Sequence, residues 1–354
     1  MKFSKSLFLA FAGLGLFACS NEDVTNGGNF GNDETKSMVI SLNGVTKGSR
    51  AVESAQNGGT ATLSNVAIYY TDDNGNVGHV TTLSDEDENW GDLTGDGYVE
   101  HNLPAAITQV HVVGNYDVLG DPNDYGTISG VKTKAIDAAE QQAFSEVLLW
   151  GADTNGLEKV ATDGTHTENV VKAELTIAPL VSRLEISNIQ CEDLGNQYSS
   201  IDLKKIGLSN FYTTITIEGT EGGLTKIAGA DSWTTPTWSF DAITGATLSD
   251  LNTIYNPEES KVFAYNIIPN ELETPTPLEV RLLVDAKRGE TTDPFNNTLV
   301  AKVNQDLEAG KIYKMTYKFT EDNIGPWNPE NTQCVIVDVT VANWVVETLT
   351  PSFE

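Results

Sequence analysis

Cys19 is the residue whose surroundings most clearly predict a chemical reaction. It follows Ala18 at the end of the apolar run 7–17, and Lys2 and Lys5 come before that run. A basic start, a short apolar stretch and a small residue before the cut are typical of a secretion signal. A cysteine directly after the cut makes this signal a lipobox. We therefore expect cleavage after Ala18 and covalent attachment of lipid, such as palmitate, to Cys19.

A lipidated cysteine anchors a protein to a membrane. Each buried acyl methylene contributes about 0.8 kcal/mol, so several chains together hold a protein firmly on a bilayer. The apolar run itself is shorter than the roughly 20 residues that a spanning helix needs. The alternative is an ordinary signal peptide that happens to contain a cysteine. The sequence predicts that residues 1–18 are a lipoprotein signal peptide and that the precursor leaves the cytoplasm tethered.

The rest of the chain offers no catalytic or metal-binding motif. Cys191 and Cys334 lack the spacing of a metal site, and the sequence leaves open whether they form a disulfide. The segment 92–103 has the spacing of a calcium loop, but Leu103 occupies the position of the required bidentate glutamate. The histidines are widely spaced, at His79, His101, His111 and His166. We expect no catalytic residues, no metal and no cofactor.

Composition argues against nucleic acid as a partner. The 354 residues include 21 Lys and Arg against 50 Asp and Glu, which gives a formal net charge of -29. Such a surface repels phosphate backbones. The length allows two domains, and a hydrophobic content of 39% allows each to have a core.

Two tryptophans suggest a binding function as an alternative. Trp233 and Trp238 lie close together in a stretch rich in Thr, Pro and Ser, where their rings could stack on sugars. Packing of the rings in the core or against a loop is the competing interpretation. The alternative function is therefore that of a surface lipoprotein that binds glycans.

Short strands separated by turn residues dominate the pattern of the chain. Met38, Ile40 and Leu42 alternate with polar or smaller residues and share one face of a first strand. The segment 72–76 is a hairpin turn of the Asn-Gly type. The segment 135–144 is rich in Ala and Gln and predicts one clear short helix. Further strands are predicted at 61–70, 77–83, 107–113, 147–150, 170–177, 184–189, 204–212, 261–268, 278–286, 299–303 and 312–319.

The final strand, at 334–346, has the most regular alternation. Its valines share one face, and Trp344 extends its apolar character. These valines are Val335, Val337, Val339 and Val341. Many short strands and almost no helix predict an all-β protein of two tandem β-sandwich domains, with one or two short helices. Pro179 marks the division, so we expect an N-terminal sandwich over 51–179 and a C-terminal one over 180–354.

Several segments together resemble the fimbrillins, the major fimbrial (type V pilus) subunits of the Bacteroidetes. They are LVSRLEI at 180–186, AGKIY at 309–313 and VDVTVANW at 337–344. The acidic residues in 20–23, after the lipobox, also resemble the export signal of surface lipoproteins in that phylum. The resemblance implies Greek-key (transthyretin-like) sandwiches and a pilus subunit that supports adhesion and is not an enzyme.

The resemblance also implies a route of assembly. An outer-membrane lipoprotein precursor would be cut by an Arg-specific surface protease between Arg50 and Ala51, which removes the propeptide 19–50 with its first strand. The open groove would then accept the donor strand 334–346 of another copy or of a related pilus subunit. In the precursor this last strand could instead pair within its own chain. The resulting fimbrium would adhere to a receptor that the sequence does not identify.

Overall fold

A computed structural model of the chain describes residues 35–42, 62–93, 97–143, 146–155, 157–159, 169–227, 235–257, 261–270, 277–289, 294–324, 334–335 and 338–343. Strands predominate in these ranges, and their two α-helices are short. None of the helices in these ranges has the length and apolar character needed to cross a membrane. The prediction of an all-β sandwich protein is therefore confirmed.

The N-terminal half forms two facing sheets. Its strands are β1 (Thr35–Leu42), β2 (Asn65–Thr71), β3 (Val77–Ser84), β4 (Tyr98–Pro104), β5 (Gln109–Gly114), β6 (Ile136–Asp137), β7 (Leu149–Asp153), β8 (Glu158–Lys159), β9 (Asn169–Leu175) and β10 (Ala178–Pro179), and its helices are α1 (Trp90–Leu93) and α2 (Ile128–Lys132). One sheet has the order β4-β1-β9-β8 and the other β10-β7-β5-β2-β3. Apolar side chains from both sheets form the core between them.

The C-terminal half repeats this arrangement. Its strands are β11 (Ser182–Cys191), β12 (Ser200–Ser209), β13 (Thr214–Ile215), β14 (Glu221–Gly222), β15 (Phe240–Leu248), β16 (Ile254–Tyr255), β17 (Phe263–Ile267), β18 (Glu279–Lys287), β19 (Phe295–Lys302), β20 (Lys311–Phe319), β21 (Cys334–Val335) and β22 (Asp338–Asn343). One sheet has the order β16-β11-β20-β22, with β17 also paired to β11, and the other has the order β15-β12-β18-β19-β21. A second core fills the space between them.

The two halves are joined by hydrogen bonds as well as by apolar packing. β6 pairs with β13, which pairs with β14, so one small sheet contains strands from both halves. The Gln142 side chain donates to the carbonyl oxygen of Asn266 at 2.6 Å, and Gln142 Oε1 accepts from the Asn266 backbone N–H at 3.2 Å. Asn266 lies opposite Arg183 in the β11–β17 ladder, and Arg183 Nε donates to Glu185 at 2.8 Å. These buried bonds fix the orientation of one sandwich against the other.

The predicted helix at 135–144 is wrong. Residues 136–137 form β6, and only the single 3₁₀ turn Ala138–Gln141 follows. Tertiary contacts override the helix propensity here, because Ile136 pairs with Ile215 and Gln141 Oε1 accepts from the Leu148 backbone N–H at 2.7 Å. The segment joins the two halves, and a helix would withdraw these groups from their partners.

Candidate functional site

β1 lies inside its sheet, with a strand on each side. It runs antiparallel to β4, where Met38 is opposite Glu100 and Ile40 is opposite Tyr98. It runs parallel to β9 along its length from Lys36 to Leu42. Because both edges of β1 form backbone ladders, removing it would separate β4 from β9 and leave unpaired backbone groups on both.

The apolar face predicted for β1 points into the core. Met38 and Ile40 are both 0% exposed and pack in the cluster that contains Leu103 and Val171. Burying an aliphatic side chain of this size contributes about 1.5–3 kcal/mol. The backbone of Leu42 continues the ladder opposite Leu175, while its side chain is outside the described part of the structure.

Polar contacts hold the start of β1 to β4 and to the residues just after it. Lys36 Nζ donates to the carbonyl oxygens of Ala105, at 3.3 Å, and Ile107. Ser37 Oγ lies 3.0 Å from His101 Nδ1. The first strand is thus an integral part of the N-terminal sandwich in this state of the molecule.

β4 is also bound to the opposite sheet. Glu100 Oε2 accepts from Thr81 Oγ1 at 2.6 Å and from the Tyr98 hydroxyl at 2.9 Å, and His79 Nε2 lies 3.7 Å away. Burial raises the pKa of the Glu100 carboxyl, but hydrogen bonds from His79, Thr81 and Tyr98 outweigh this effect, and the pKa is lowered. Glu100 is therefore a carboxylate at neutral pH, and it connects β4 with β3.

The C-terminal segment is divided between the two sheets of its own sandwich. β21 runs parallel to β19, with Val335 opposite Ala301. β22 runs antiparallel to β20, with Val339 opposite Met315 and Val341 opposite Tyr313. The predicted single continuous strand is therefore wrong in this state, because each piece pairs with the outer strand of a different sheet. Within the described residues, β22 has one strand neighbour.

Several predicted site residues lie outside the described residues. They are Cys19, Arg50, Ala51, Trp233, Val337 and Trp344. Trp238 is described, and it is half-buried with its ring edge-to-face against Phe211 at a centroid distance of 4.9 Å. Trp238 thus takes part in packing, as the competing interpretation of this residue predicts.

Among the residues that the structure describes, no group of three or more His, Cys, Asp or Glu side chains could hold a metal ion. Cys191 is a free, buried thiol 3.6 Å from Asp193 Oδ1, and burial raises its pKa to about 12. A thiol held protonated in this way is a poor nucleophile.

The sequence did not predict the contacts of Glu100. Glu100 lies within the segment 92–103 with calcium-loop spacing, where an acidic residue resembles one more surface charge. Its hydrogen-bond partner Thr81 precedes it by 19 residues and belongs to another sheet. Only the pairing of strands brings the two together.

Comparison with known proteins gives structural matches only. No family model and no curated protein matches the sequence. A candidate cell adhesion protein from Bacteroides eggerthii matches with a TM-score of 0.63 and 14% identity, over 90% of this chain and 98% of its own. A fimbrilin from Porphyromonas gingivalis matches with a TM-score of 0.54 and 13% identity, over 89% and 99%. Another candidate cell adhesion protein, from Parabacteroides distasonis, gives 0.54 and 12%, over 89% and 98%. The chain therefore shares the fold of a fimbrilin and of these two candidate adhesion proteins over nearly its whole length.

Proposed function

We propose that this chain is a fimbrillin-type stalk subunit of a cell-surface pilus, which supports adhesion and polymerises by exchange of a strand. Two findings support this function: the fold shared with a fimbrilin, and the unlike positions of the terminal strands. The second finding carries the proposal. β1 is paired on both sides, whereas β22 is the outermost strand of its sheet in the described part of the chain.

The precursor would be an outer-membrane lipoprotein anchored through Cys19 and cut between Arg50 and Ala51. β1 ends at Leu42 and β2 begins at Asn65, so a cut there frees β1 from the body of the protein. Removal of the propeptide 19–50 also releases the subunit from its lipid.

The other arginines support Arg50 as the cleavage site. The chain has four arginines. Arg183 is 0% exposed in β11 and Arg281 is 9% exposed in β18, so neither can reach the active-site cleft of a protease. Arg288 follows β18 and is exposed, with its guanidinium 5.1 Å from the ring centre of Tyr198, but a cut after it would fall in the C-terminal half and would not free β1. An Arg-specific protease needs accessible, extended backbone. Arg50 lies between β1 and β2 in the chain, so a cut there would free β1.

Loss of β1 would create a groove, and a neighbour's tail would fill it. Residues 334–346 of a second subunit can supply backbone groups to β4 and β9 and apolar side chains to the core, as in donor-strand complementation. Burial of Val335, Val337, Val339 and Val341 would contribute about 6–12 kcal/mol before the entropy of ordering the strand is subtracted. Trp344 would extend the apolar contact.

The geometry also gives exchange a direction. Among the described strands β22 has one ladder in its own sandwich, and the place left by β1 offers two. The joint is head-to-tail and does not close, so repetition produces a filament. The proposed organisation is an N-terminal acceptor sandwich at 51–179 and a C-terminal donor sandwich at 180–354. The partners are further copies, related subunits, the protease and an adhesion receptor, and the function is not enzymatic.

N-terminal sequencing of the mature surface protein tests this proposal. We expect a start at Ala51 and ladders that resist SDS after treatment with an Arg-specific protease. The variant Arg50→Ala should remain a lipidated monomer on the membrane, and Arg288→Ala is its matched control. Normal polymers from Arg50→Ala would exclude cleavage at this residue from the mechanism.

A further inference from the structure

Removal of β1 leaves the two walls of the groove differently supported. β9 keeps a strand neighbour, because Lys172 pairs with Glu158 and Val171 pairs with Lys159 in β8. β4 ends its sheet, and its strand neighbour within the described residues is β1 alone. Once β1 has gone, β4 needs another attachment if it is to receive the incoming strand in the right place.

A cluster of polar side chains provides such an attachment in the middle of β4. Glu100 lies opposite Met38 in the β1–β4 ladder, so it marks the part of the wall that an incoming strand must meet. Its carboxylate accepts from Thr81 of β3 at 2.6 Å and lies 3.7 Å from His79 of the same strand. None of these contacts involves β1, and they therefore survive its removal.

We propose that Glu100, Thr81, Tyr98 and His79, here named the Glu100 clasp, hold β4 against β3 while the groove is empty. Glu100 is then a positioning residue for strand acceptance. This inference rests on the proposed function, since an empty groove exists only if β1 leaves and a new strand arrives.

The chemistry of the clasp suits this task. Hydrogen bonds to a carboxylate are shorter and roughly twice as strong as neutral ones. The Glu100 side chain is 16% exposed, so water competes with these bonds less than it does at an open surface. The clasp joins β4 to β3, the outermost strand of the facing sheet, and thus closes the side of the sandwich beside the groove. A wall held from the facing sheet leaves the edge of β4 free for a new ladder.

The test uses full-length precursors with Glu100→Ala, Thr81→Val or the matched control Glu86→Gln, each cut with an Arg-specific protease. Glu86 is an exposed acidic residue on the turn after β3. With β1 in place, all three precursors should fold and be cut like the unaltered protein. After the cut, Glu100→Ala should form polymers at least tenfold more slowly, Thr81→Val should show a smaller loss, and Glu86→Gln should be unaffected.

Mixing experiments separate acceptance from donation. A Glu100→Ala subunit keeps its C-terminal strand, so it can donate to an unaltered subunit, but it should accept a strand in return at least tenfold more slowly. It should therefore cap growing polymers, and their length should fall as its share of the mixture rises. The milder Thr81→Val variant gives the same readout if Glu100→Ala does not fold.

Each other outcome has a definite meaning. Normal polymers from Glu100→Ala alone would overturn the clasp and leave the proposed function intact. Loss of both donation and acceptance would also overturn it, because the residue would then serve general stability. Failure of the unaltered, cut protein to polymerise would instead refute the proposed function.

Discussion

β1 and β22 are short strands close to the two ends of the described chain, but they hold unlike positions in their sheets. β1 lies between β4 and β9, and β22 pairs with β20 alone among the described strands. The chain continues past β1 through Arg50, where a cut would release it, whereas β22 remains linked to the C-terminal sandwich through β21. A central strand is costly to lose and leaves a specific vacancy, while an outermost strand can leave with less disruption. The positions of the two strands therefore suit the two parts of the proposed exchange.

The largest expected effect comes from removing the tail. A precursor that ends at residue 333 lacks β21 and β22, and it should fold and be cut normally because both are outermost strands of their sheets. After the cut it should form no polymers on its own, as judged by electron microscopy. It should still accept the tail of an unaltered subunit, and polymers of the truncated chain alone would remove β22 from the donor role.

Substitution in β1 measures the cost of disturbing the central strand. Ile40→Ala should lower the free energy of unfolding of the full-length precursor by about 2–5 kcal/mol, because Ile40 is fully buried. Ile254→Ala is the matched control, since Ile254 is 47% exposed, and it should cost less than about 0.5 kcal/mol. Urea unfolding monitored by circular dichroism gives both values. Equal costs would show that β1 is not an integral part of the core.

Low pH should lower stability through a histidine of the N-terminal half, a residue type that the C-terminal half lacks. All four histidines precede Pro179, and His111 is buried in β5 with its ring stacked 5.6 Å from Trp150. Burial and the nearby charge of Lys132 lower the pKa of His111 from 6.5 to about 4. Since the unfolded chain binds this proton more readily, the stability that neutral His111 contributes is complete above about pH 6.5.

That stability is then lost as the pH falls from about 6.5 to about 4. The loss should reach roughly 3 kcal/mol, since one pKa unit corresponds to about 1.4 kcal/mol. Urea unfolding at pH 7 and pH 4.5 should show a smaller difference for His111→Gln than for the unaltered chain. An equal difference in both proteins would show that His111 is not the group responsible.

The smallest expected effect is a difference between β1 and β22 in the rate of amide hydrogen exchange. Amides of β1 in the full-length precursor should exchange at least tenfold more slowly than those of β22, because in the part of the chain that the structure describes two ladders protect β1 and one protects β22. Mass spectrometry of peptides that cover the two strands measures this ratio. Faster exchange in β1 would reverse the comparison on which the direction of transfer depends.

Local pattern in the sequence was enough to predict many strands. The hairpin turn at 72–76 is confirmed, since β2 and β3 pair across it and the Asp72 carboxylate accepts from the backbone N–H groups of Asn74 and Asn76 at 2.9 and 2.8 Å. Alternation in β1 also correctly placed Met38 and Ile40 on a buried face. These features depend on neighbours within a few residues, which a single sequence contains.

Pairings over long distances could not be predicted. β1 runs parallel to β9, which begins at Asn169, and no local pattern selects that partner. The division of the tail into β21 and β22 depends on which outer strands the finished sandwich presents. The Glu100 clasp likewise requires two sheets to be in place before its carboxylate finds Thr81.

The joint between the halves has a mechanical consequence. β6 and β13 pair across it, the backbone N–H of Ala138 donates to Thr213 at 2.8 Å, and Asn266 bonds to the backbone of Gln141 at 2.8 Å. A load applied at one end of the molecule would therefore pass from one half to the other through several buried hydrogen bonds, which resist together. Bending of a filament built from such units would concentrate at the links between them, as in a chain of stiff rods.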